Sequence, residues 1–434
     1  MSKDLVLQLE GHKTRDLFKR LYGGNEEAIL SQIKRYGKLI RAFEKHFPGD
    51  RREIQLFSTP GRTEVGGNHT DHNAGRVLAA AVHFDTIAAV TAADDNQIVL
   101  YSDGYEGEFR VDLNQLEPLP EERESTTALI RGIAARFQQL GYSIGGFNAY
   151  VSSSVAKGSG LSSSASIEVL LATILNALYN NNALEPALLA RIGQYAENVY
   201  FGKPCGLMDQ MACAIGGFIT IDFKDSERAE YRKVDFDLAA HGYHMLVVDT
   251  GGNHADLTQD YADVPREMKS VAQALGKDIL RELSMDEVME NIPLLREKAG
   301  DRAILRAMHF FMDDLRVVEQ AGALEENRFY DFLKLVQESG NSSWRLLQNC
   351  YSNQNPQEQG VTLALALTED FIRNTGEGAC RVHGGGFAGT IQVYLPDDRL
   401  QQYVTLMESV FGRNSVTILN IRPDGTLHLN NLLG

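Results

Sequence analysis

Cysteine is scarce in this chain: four of 434 residues. Cys205, Cys213, Cys350 and Cys380 form no C-x-x-C pair and no cysteine–histidine spacing of the kind a zinc site uses. A disulfide scaffold and a thiolate metal module are excluded, and free thiols in a reducing compartment are expected. Long hydrophobic runs are missing too. The most apolar stretch, Ile167–Leu178, is broken by polar residues and falls short of the roughly 20 needed to cross a bilayer, so no membrane partner is expected. The first turns carry Lys3, Asp4 and Glu10 and lack the apolar core of a secretion signal, which reads as a cytoplasmic protein. Basic residues are outnumbered: 42 Lys and Arg against 58 Asp and Glu leave a formal net charge of −16. Such a field repels nucleic acid. An anionic ligand would need a few local cations, magnesium, or backbone N–H groups aimed at it.

With 43% hydrophobic residues, the chain has material for two or three domain-sized units. Residues 1–50 read as helical, with Ile33, Tyr36, Leu39, Ile40, Phe43 and Phe47 at three- and four-residue spacing before Pro48-Gly49. Short β-rich runs follow (Ile54–Phe57, Thr86–Ala92, Ile98–Tyr101), with a polar loop expected at 61–76. Then come a helix near 125–140, a strand near 147–152, a helix over 164–180 that is apolar on nearly every face, and a helix over 187–201. A segment apolar all round belongs between a sheet and other helices. Gly217–Asp222 and Tyr243–Asp249 read as strands, 258–350 as almost continuously helical, and the chain closes with strands near 391–395 and 416–421 around a helix at 397–411. The sum is α+β in two lobes with a change near residue 240.

Three glycine-bearing segments carry the chemistry. Lys157-Gly158-Ser159-Gly160-Leu161-Ser162-Ser163-Ser164 sits between a strand and a buried helix. Glycines let the backbone approach a ligand, and the serine hydroxyls and unpaired N–H groups of the helix start suit phosphate. No Gly-Lys-Ser/Thr closes it, so it is not a P-loop. Pro60-Gly61-Arg62 followed by His69-Thr70-Asp71-His72-Asn73-Ala74-Gly75 is dense in the charged and amide groups that a sugar's hydroxyls require, although an Asx-rich surface loop has the same composition. Ala196-Glu197-Asn198 and Cys205-Gly206-Leu207-Met208-Asp209-Gln210 bring two carboxylates that could divide metal binding from activation of an acceptor hydroxyl. His383-Gly384-Gly385-Gly386-Phe387-Ala388-Gly389 forms a fourth, weaker glycine-rich turn.

In this order and spacing, the segments resemble the motifs of GHMP kinases, and of galactokinases in particular, from about residue 35 to the C-terminus. The resemblance implies a two-lobed fold with mixed sheets and helices and the active site between the lobes. It divides the chain into an N-terminal helical extension (1–34), a sugar- and ATP-motif domain (35–240) and a C-terminal domain (241–434). It implies ATP and Mg2+, with residues 157–164 (Lys157, Gly158, Ser159, Gly160, Leu161, Ser162, Ser163 and Ser164) around the phosphates and Ser163 and Glu197 on the metal. Asp209 would face the anomeric hydroxyl, and Arg62 would lie beside it. Asn68, His69, Asp71, Gly206 and Tyr261 fall where the family holds its sugar.

Departures from the family bear on the sugar. Asn68 stands where the family's glutamate is expected to hold the C6 hydroxyl, His72 where a tyrosine stands, and His383 replaces a threonine. The expected activity is phosphorylation of galactose to galactose 1-phosphate. The alternatives are a 1-kinase for galacturonate, in which Arg76 could meet a C6 carboxylate, or for another galactose-like sugar, and a non-catalytic galactose sensor.

Overall fold

The computed structural model describes residues 2–156, 159–225, 229–252 and 257–433. The helical start is three helices, α1 (Ser2–Leu9), α2 (His12–Tyr22) and α3 (Glu26–His46). Asn25 caps α3, its side chain accepting from the Ala28 N–H at 3.1 Å, and Glu26 and Glu27 complement the dipole in the first turn. The apolar faces are continuous with the body of the protein: Leu9, Leu17, Phe18 and Leu21 share a core with Phe43, Leu56, Ile87 and Leu429. Residues 2–34 therefore cover one face of the first sheet.

That sheet contains β1 (Gln55–Gly66), β2 (Arg76–Ala92), β3 (Gln97–Ser102), β4 (Phe109–Asp112), β5 (Phe147–Ser153), β6 (Phe218–Asp222) and β7 (Glu230–Val234). A second sheet contains β8 (Tyr243–Asp249), β9 (Ala379–Val382), β10 (Thr390–Pro396) and β11 (Val416–Leu419), while the short β12 (Leu427–His428) returns to the first. The orders are β12-β1-β2-β5-β3-β4, with β6 on β2 and β7 on β6, and β11-β8-β10-β9. Only the β3–β5 pairing is parallel among the described strands. The C-terminal tail thus belongs to the first sheet, through β12 on β1 and a bridge from Ile421 to Val82. A simple division at residue 240 misses this return.

The loop expected at 61–76 begins as strand. β1 continues through Pro60 and Gly61 to Gly66, with shifts in its register against β2 between Pro60 and Arg62 and between Glu64 and Gly66. Such irregularities let Pro and Gly stay in a ladder and re-aim neighbouring side chains. Only residues 67–75 are left as a loop.

Helices α4 (Thr126–Gln139), α5 (Ser163–Asn180) and α7 (Met208–Ile215) pack on the first sheet, and α6 (Pro186–Tyr195) packs on these helices. α5 is buried on two sides: Leu170, Leu171, Ile174 and Leu175 join Phe57, Val90, Leu129 and Ile133, while Ala165 and Val169 join Met211 and Ile219. The segment expected as one helix over 187–201 ends in a π-helical turn, Ala196–Phe201, a distortion common at functional sites. The helical stretch after 258 resolves into α8 (Thr258–Ala274), α9 (Met285–Glu290), α10 (Ile292–Lys298), α11 (Asp301–Glu325) and α12 (Phe329–Ser342), and α13 (Gly360–Thr375) and α14 (Leu400–Phe411) complete the set. No helix among the described residues is long and apolar enough to cross a membrane.

Candidate active site

The second half of β1 is where the two sheets meet. The Gln392 amide on β10 donates to Thr63 Oγ1 at 2.7 Å and to the Glu64 carbonyl at 2.9 Å, and Arg381 on β9 donates to the Val65 carbonyl at 2.6 Å. Just before this junction, Gly61 touches the glycine-serine loop. A Cβ there would stand 2.6 Å from the Leu161 carbonyl oxygen, which accepts from the Arg62 N–H at 3.0 Å. Arg62 and the loop are thereby locked together.

Arg62 reaches Asp209 with both arms of its fork, Nε to Oδ1 at 2.7 Å and Nη2 to Oδ2 at 2.7 Å. Its remaining arm donates to the Gly160 carbonyl, and the Ser162 hydroxyl also donates to Asp209 Oδ2. Burial pushes the Asp209 carboxyl up, but the Arg62 charge and the hydrogen bonds from Arg62 and Ser162 outweigh it and hold it below the usual carboxylate range. Asp209 lies in the first turn of α7, where the dipole also favours an anion. Its side chain is 30% exposed, against 10% for Arg62, so the pair is walled in behind and open in front. Oδ1 carries one described hydrogen bond and retains a lone pair.

In the glycine-serine loop, Gly160 and Ser162 adopt positive φ of 73° and 59°, which turns the chain into α5 at Ser163. The Ser159 hydroxyl is spent on the Ala156 carbonyl at 2.7 Å. Ser163 and Ser164 are partly exposed in the first turn of α5, where backbone N–H groups have no intrahelical partner. Leu161 is buried in the core that the two sheets share. Lys157 and Gly158 lie outside the described residues. His383 packs beneath Gly160, its ring nitrogens 2.9 Å from Thr63 Oγ1 and 2.9 Å from Thr390 Oγ1. Burial first, then Arg62 and Arg381, push its pKa down to about 3, so it is a neutral brace.

Glu197 sits in the π-helical turn, buried. The Gln210 amide nitrogen bridges it to Glu168 on α5, at 3.0 and 2.9 Å, and the exposed Lys203 ammonium lies 3.8 Å from its other oxygen. Glu168 is fully buried and its Oε1 has no partner. Burial and then the neighbouring Glu197 push its carboxyl well up. Glu168 and Gln210 received no role from the sequence. The signal available was spacing: Glu168 follows Ser164 by four residues, which puts both on one face of α5.

The residues expected at the sugar divide into two groups. Asp71 lies against Gly206, where a Cβ would come within 2.6 Å of Asp71 Oδ2, and Asp209 follows three residues later. His69 and Tyr261 gather on the glycine turn: His69 Nε2 is 2.9 Å from the Gly385 carbonyl and the Tyr261 hydroxyl donates to the Gly386 carbonyl at 2.8 Å. A carbonyl partner makes Nε2 the protonated nitrogen and leaves Nδ1 as an acceptor. Burial, and then His72, lower the His69 pKa to about 4, so the ring is neutral at physiological pH.

Asn68 departs from expectation. It is fully buried, and its amide faces the protein. Nδ2 donates to Glu64 Oε1 at 3.0 Å and to the Gly384 carbonyl at 2.7 Å, while Oδ1 accepts from Asn349 Nδ2 at 2.8 Å and Ser343 Oγ at 3.4 Å. All four hydrogen-bonding positions are taken, which leaves none for a sugar hydroxyl. Arg76 is committed as well, paired with Asp222 at 2.8 Å and Asp314 at 2.7 Å beside Arg281. Among the described residues, His, Cys, Asp and Glu form no group of three able to hold a metal by themselves.

Two family models match this chain: the galactokinase galactose-binding signature at residues 41–92 and the GHMP kinases N terminal domain at residues 128–217. The chain is 32% identical over 360 residues to the galactokinase of Streptomyces coelicolor, covering 82% of this chain and 88% of that protein. It is 28% identical over 374 residues to that of Clostridium tetani, covering 85% and 90%. Its fold overlays on the Lactococcus lactis galactokinase solved with galactose with a TM-score of 0.77 at 24% identity, covering 91% of this chain and 100% of that one. A crystal structure of mevalonate kinase overlays at 0.58 and 16% identity, covering 84% and 98%.

Proposed function

This chain belongs to the galactokinase family, and from that premise we propose that it transfers the γ-phosphoryl group of ATP to the C1 hydroxyl of galactose, giving galactose 1-phosphate and ADP. The observation that carries the reading is the Arg62–Asp209–Ser162 cluster, which ties the sugar strand, the glycine-serine loop and α7 together and is open on one side.

Asp209 is anionic and weakly basic beside Arg62, so it suits orienting the C1 O–H through the open lone pair on Oδ1 and taking its proton late, as the bond to phosphorus forms. Arg62 keeps Asp209 charged, and its guanidinium edge offsets the negative charge of the reacting oxygens. Phosphoryl transfer needs mainly positioning and charge stabilisation, which this arrangement supplies. The N-terminal N–H groups of α5 with the Ser163 and Ser164 hydroxyls receive the phosphates, and Asp71, the Gly206 backbone and His69 Nδ1 offer acceptors and donors to sugar hydroxyls.

The Glu197 carboxylate, with a single exposed lysine near one oxygen, and the partly exposed Ser163 hydroxyl are hard oxygen donors that fit Mg2+. The cation would neutralise charge on the phosphates in a protein that is itself acidic. Two protein oxygens suffice, because magnesium keeps waters and phosphate oxygens in its shell.

The test is ATP consumption with magnesium across galactose, galacturonate, glucose, N-acetylgalactosamine and arabinose. Galactose is expected to lead. A preference for galacturonate would overturn the sugar assignment, against which the commitment of Arg76 to Asp222 and Asp314 already argues. Tight galactose binding without turnover would return the sensor reading.

A further inference from the structure

Glu64 near the end of β1 and Asn68 in the loop that follows stand four residues apart, and their side chains meet in a closed polar core. Glu64 Oε1 takes both the Asn68 amide and the Arg381 guanidinium, the latter at 2.6 Å. Arg381 is fully buried, and its Nε has no partner. Asn349 donates to Asn68 Oδ1 and, at 3.1 Å, to the Gly385 carbonyl. From α11, Asp313 accepts the Asn68 N–H at 2.8 Å and His309 Nε2 lies 2.9 Å from the Asn68 carbonyl. Three consecutive carbonyls of the glycine turn are therefore held from one side: Gly384 by Asn68, Gly385 by His69 and Asn349, Gly386 by Tyr261.

We propose that Asn68 is a positioning residue rather than a sugar ligand, and that it forms with Glu64 a pair carrying a single carboxylate, which fixes the glycine turn against His69 and Tyr261. The inference deepens the galactokinase reading and rests on it only for the sugar named in the test. Charge balance sets the pair. Arg381 faces Glu64, and Asp313 is paired with Arg316, so every charge in this core has one opposite. A second carboxylate at position 68 has no cation to meet and turns its oxygen toward two acceptors, Glu64 Oε1 and the Gly384 carbonyl. Loss of the carboxylate at 64 strands Arg381. Unpaired buried charges of either sign are strongly unfavourable. The C6 end of the sugar thus goes unread at position 68, and discrimination there has to come from elsewhere in the pocket.

The isosteric change Asn68→Asp separates the two roles, because a carboxylate facing a sugar hydroxyl would accept its hydrogen bond at least as well as an amide. Wild type, Asn68→Asp, Glu64→Gln and the double variant are compared by thermal unfolding, and each folded protein is assayed with galactose and 6-deoxygalactose. Each single variant should lower Tm by about 5 °C or more, and Asn68→Asp should raise KM about tenfold. The double variant should regain at least half of the lost Tm, since the amide then donates from position 64 to the carboxylate at position 68, and that carboxylate supplies the charge for Arg381. An Asn68→Asp protein that is insoluble, with a soluble double variant, reports the same coupling. The galactose to 6-deoxygalactose ratio of kcat/KM should stay within threefold of wild type in Asn68→Ala. A tenfold change in that ratio, unaltered Tm with improved galactose use in Asn68→Asp, or strictly additive losses in the double variant would overturn the proposal. Failure of the wild type to use galactose would instead sink the functional reading, and the Tm cycle would still decide the pair.

Discussion

Two arginine-paired aspartates in this protein are built from similar parts and have opposite uses. Asp85 on β2 is fully buried. Its carboxylate is met by Arg35 and by Tyr22, Ser58 and Arg422, the last three on one oxygen at 2.7, 2.5 and 3.2 Å. Two arginines serve one acid, and the carboxylate itself is shut off from solvent. Asp209 has one arginine and one serine, an exposed edge and an unfilled lone pair. In both, burial pushes the carboxyl up and arginine pulls it back below the ordinary range. A depressed pKa therefore does not distinguish a reagent from a rivet. Spare hydrogen-bonding capacity does, because a group that the protein has saturated has nothing left for a substrate.

The largest expected effect tests the open acid. Asp209→Ala should cut kcat by about 10^2- to 10^4-fold while ATP binding stays close to wild type. Turnover within tenfold of wild type would remove Asp209 from the reaction.

The closed acid should show the reverse. Asp85→Ala leaves Arg35 and Arg422 unpaired and should cost about 3–5 kcal/mol of stability, read by urea unfolding, with kcat per folded molecule unchanged. A loss of activity at full stability would contradict the comparison. Glu197→Ala should come next, raising the magnesium concentration needed for half-maximal rate at least about tenfold. An unchanged magnesium titration would exclude it from the metal shell.

Two smaller effects sharpen the contrast. Tyr22→Phe removes one hydrogen bond to Asp85 and should cost about 1 kcal/mol, which tests whether the N-terminal helices are locked onto β2 by this contact as well as by their apolar faces. The buried histidines supply a pH test. His383, at about 3, and His83, lowered to about 4 chiefly by burial, bind protons in the unfolded chain before the folded one does. Stability should therefore fall as pH drops from about 6.5 toward 4, and His383→Gln should flatten that slope by up to one proton. A slope identical to wild type would mean that His383 is protonated where it sits.

Local chemistry made much of this molecule readable from its residues. The turn into α5 follows from Gly160 and the serines after it, and the burial of α5 on two sides follows from its lack of a polar face. Tyr243–Asp249 is strand from end to end, as its apolar run implies. Pairing was harder to see. Gly61 reads as the start of a loop because glycine is a poor strand residue, yet register shifts against β2 keep it and Pro60 in β1. β12 is two residues long and has no periodicity to detect. The amino-terminal helices show only an amphipathic pattern, which says that a face is buried but not which surface it meets.

The sequence by itself determined the reaction class, through the resemblance that its glycine, serine and carboxylate segments bear, in their order and spacing, to those of GHMP kinases. It could not show which polar groups remain available once folded. Asn68 and Asp209 are both polar residues in motifs of the same family. Asn68 is saturated by Ser343, Asn349 and Gly384, roughly three hundred residues along the chain, whereas Asp209 keeps an open oxygen. Hydrogen-bond saturation belongs to the neighbours a side chain acquires in space, so tertiary structure alone decided which residue is a support and which faces the substrate.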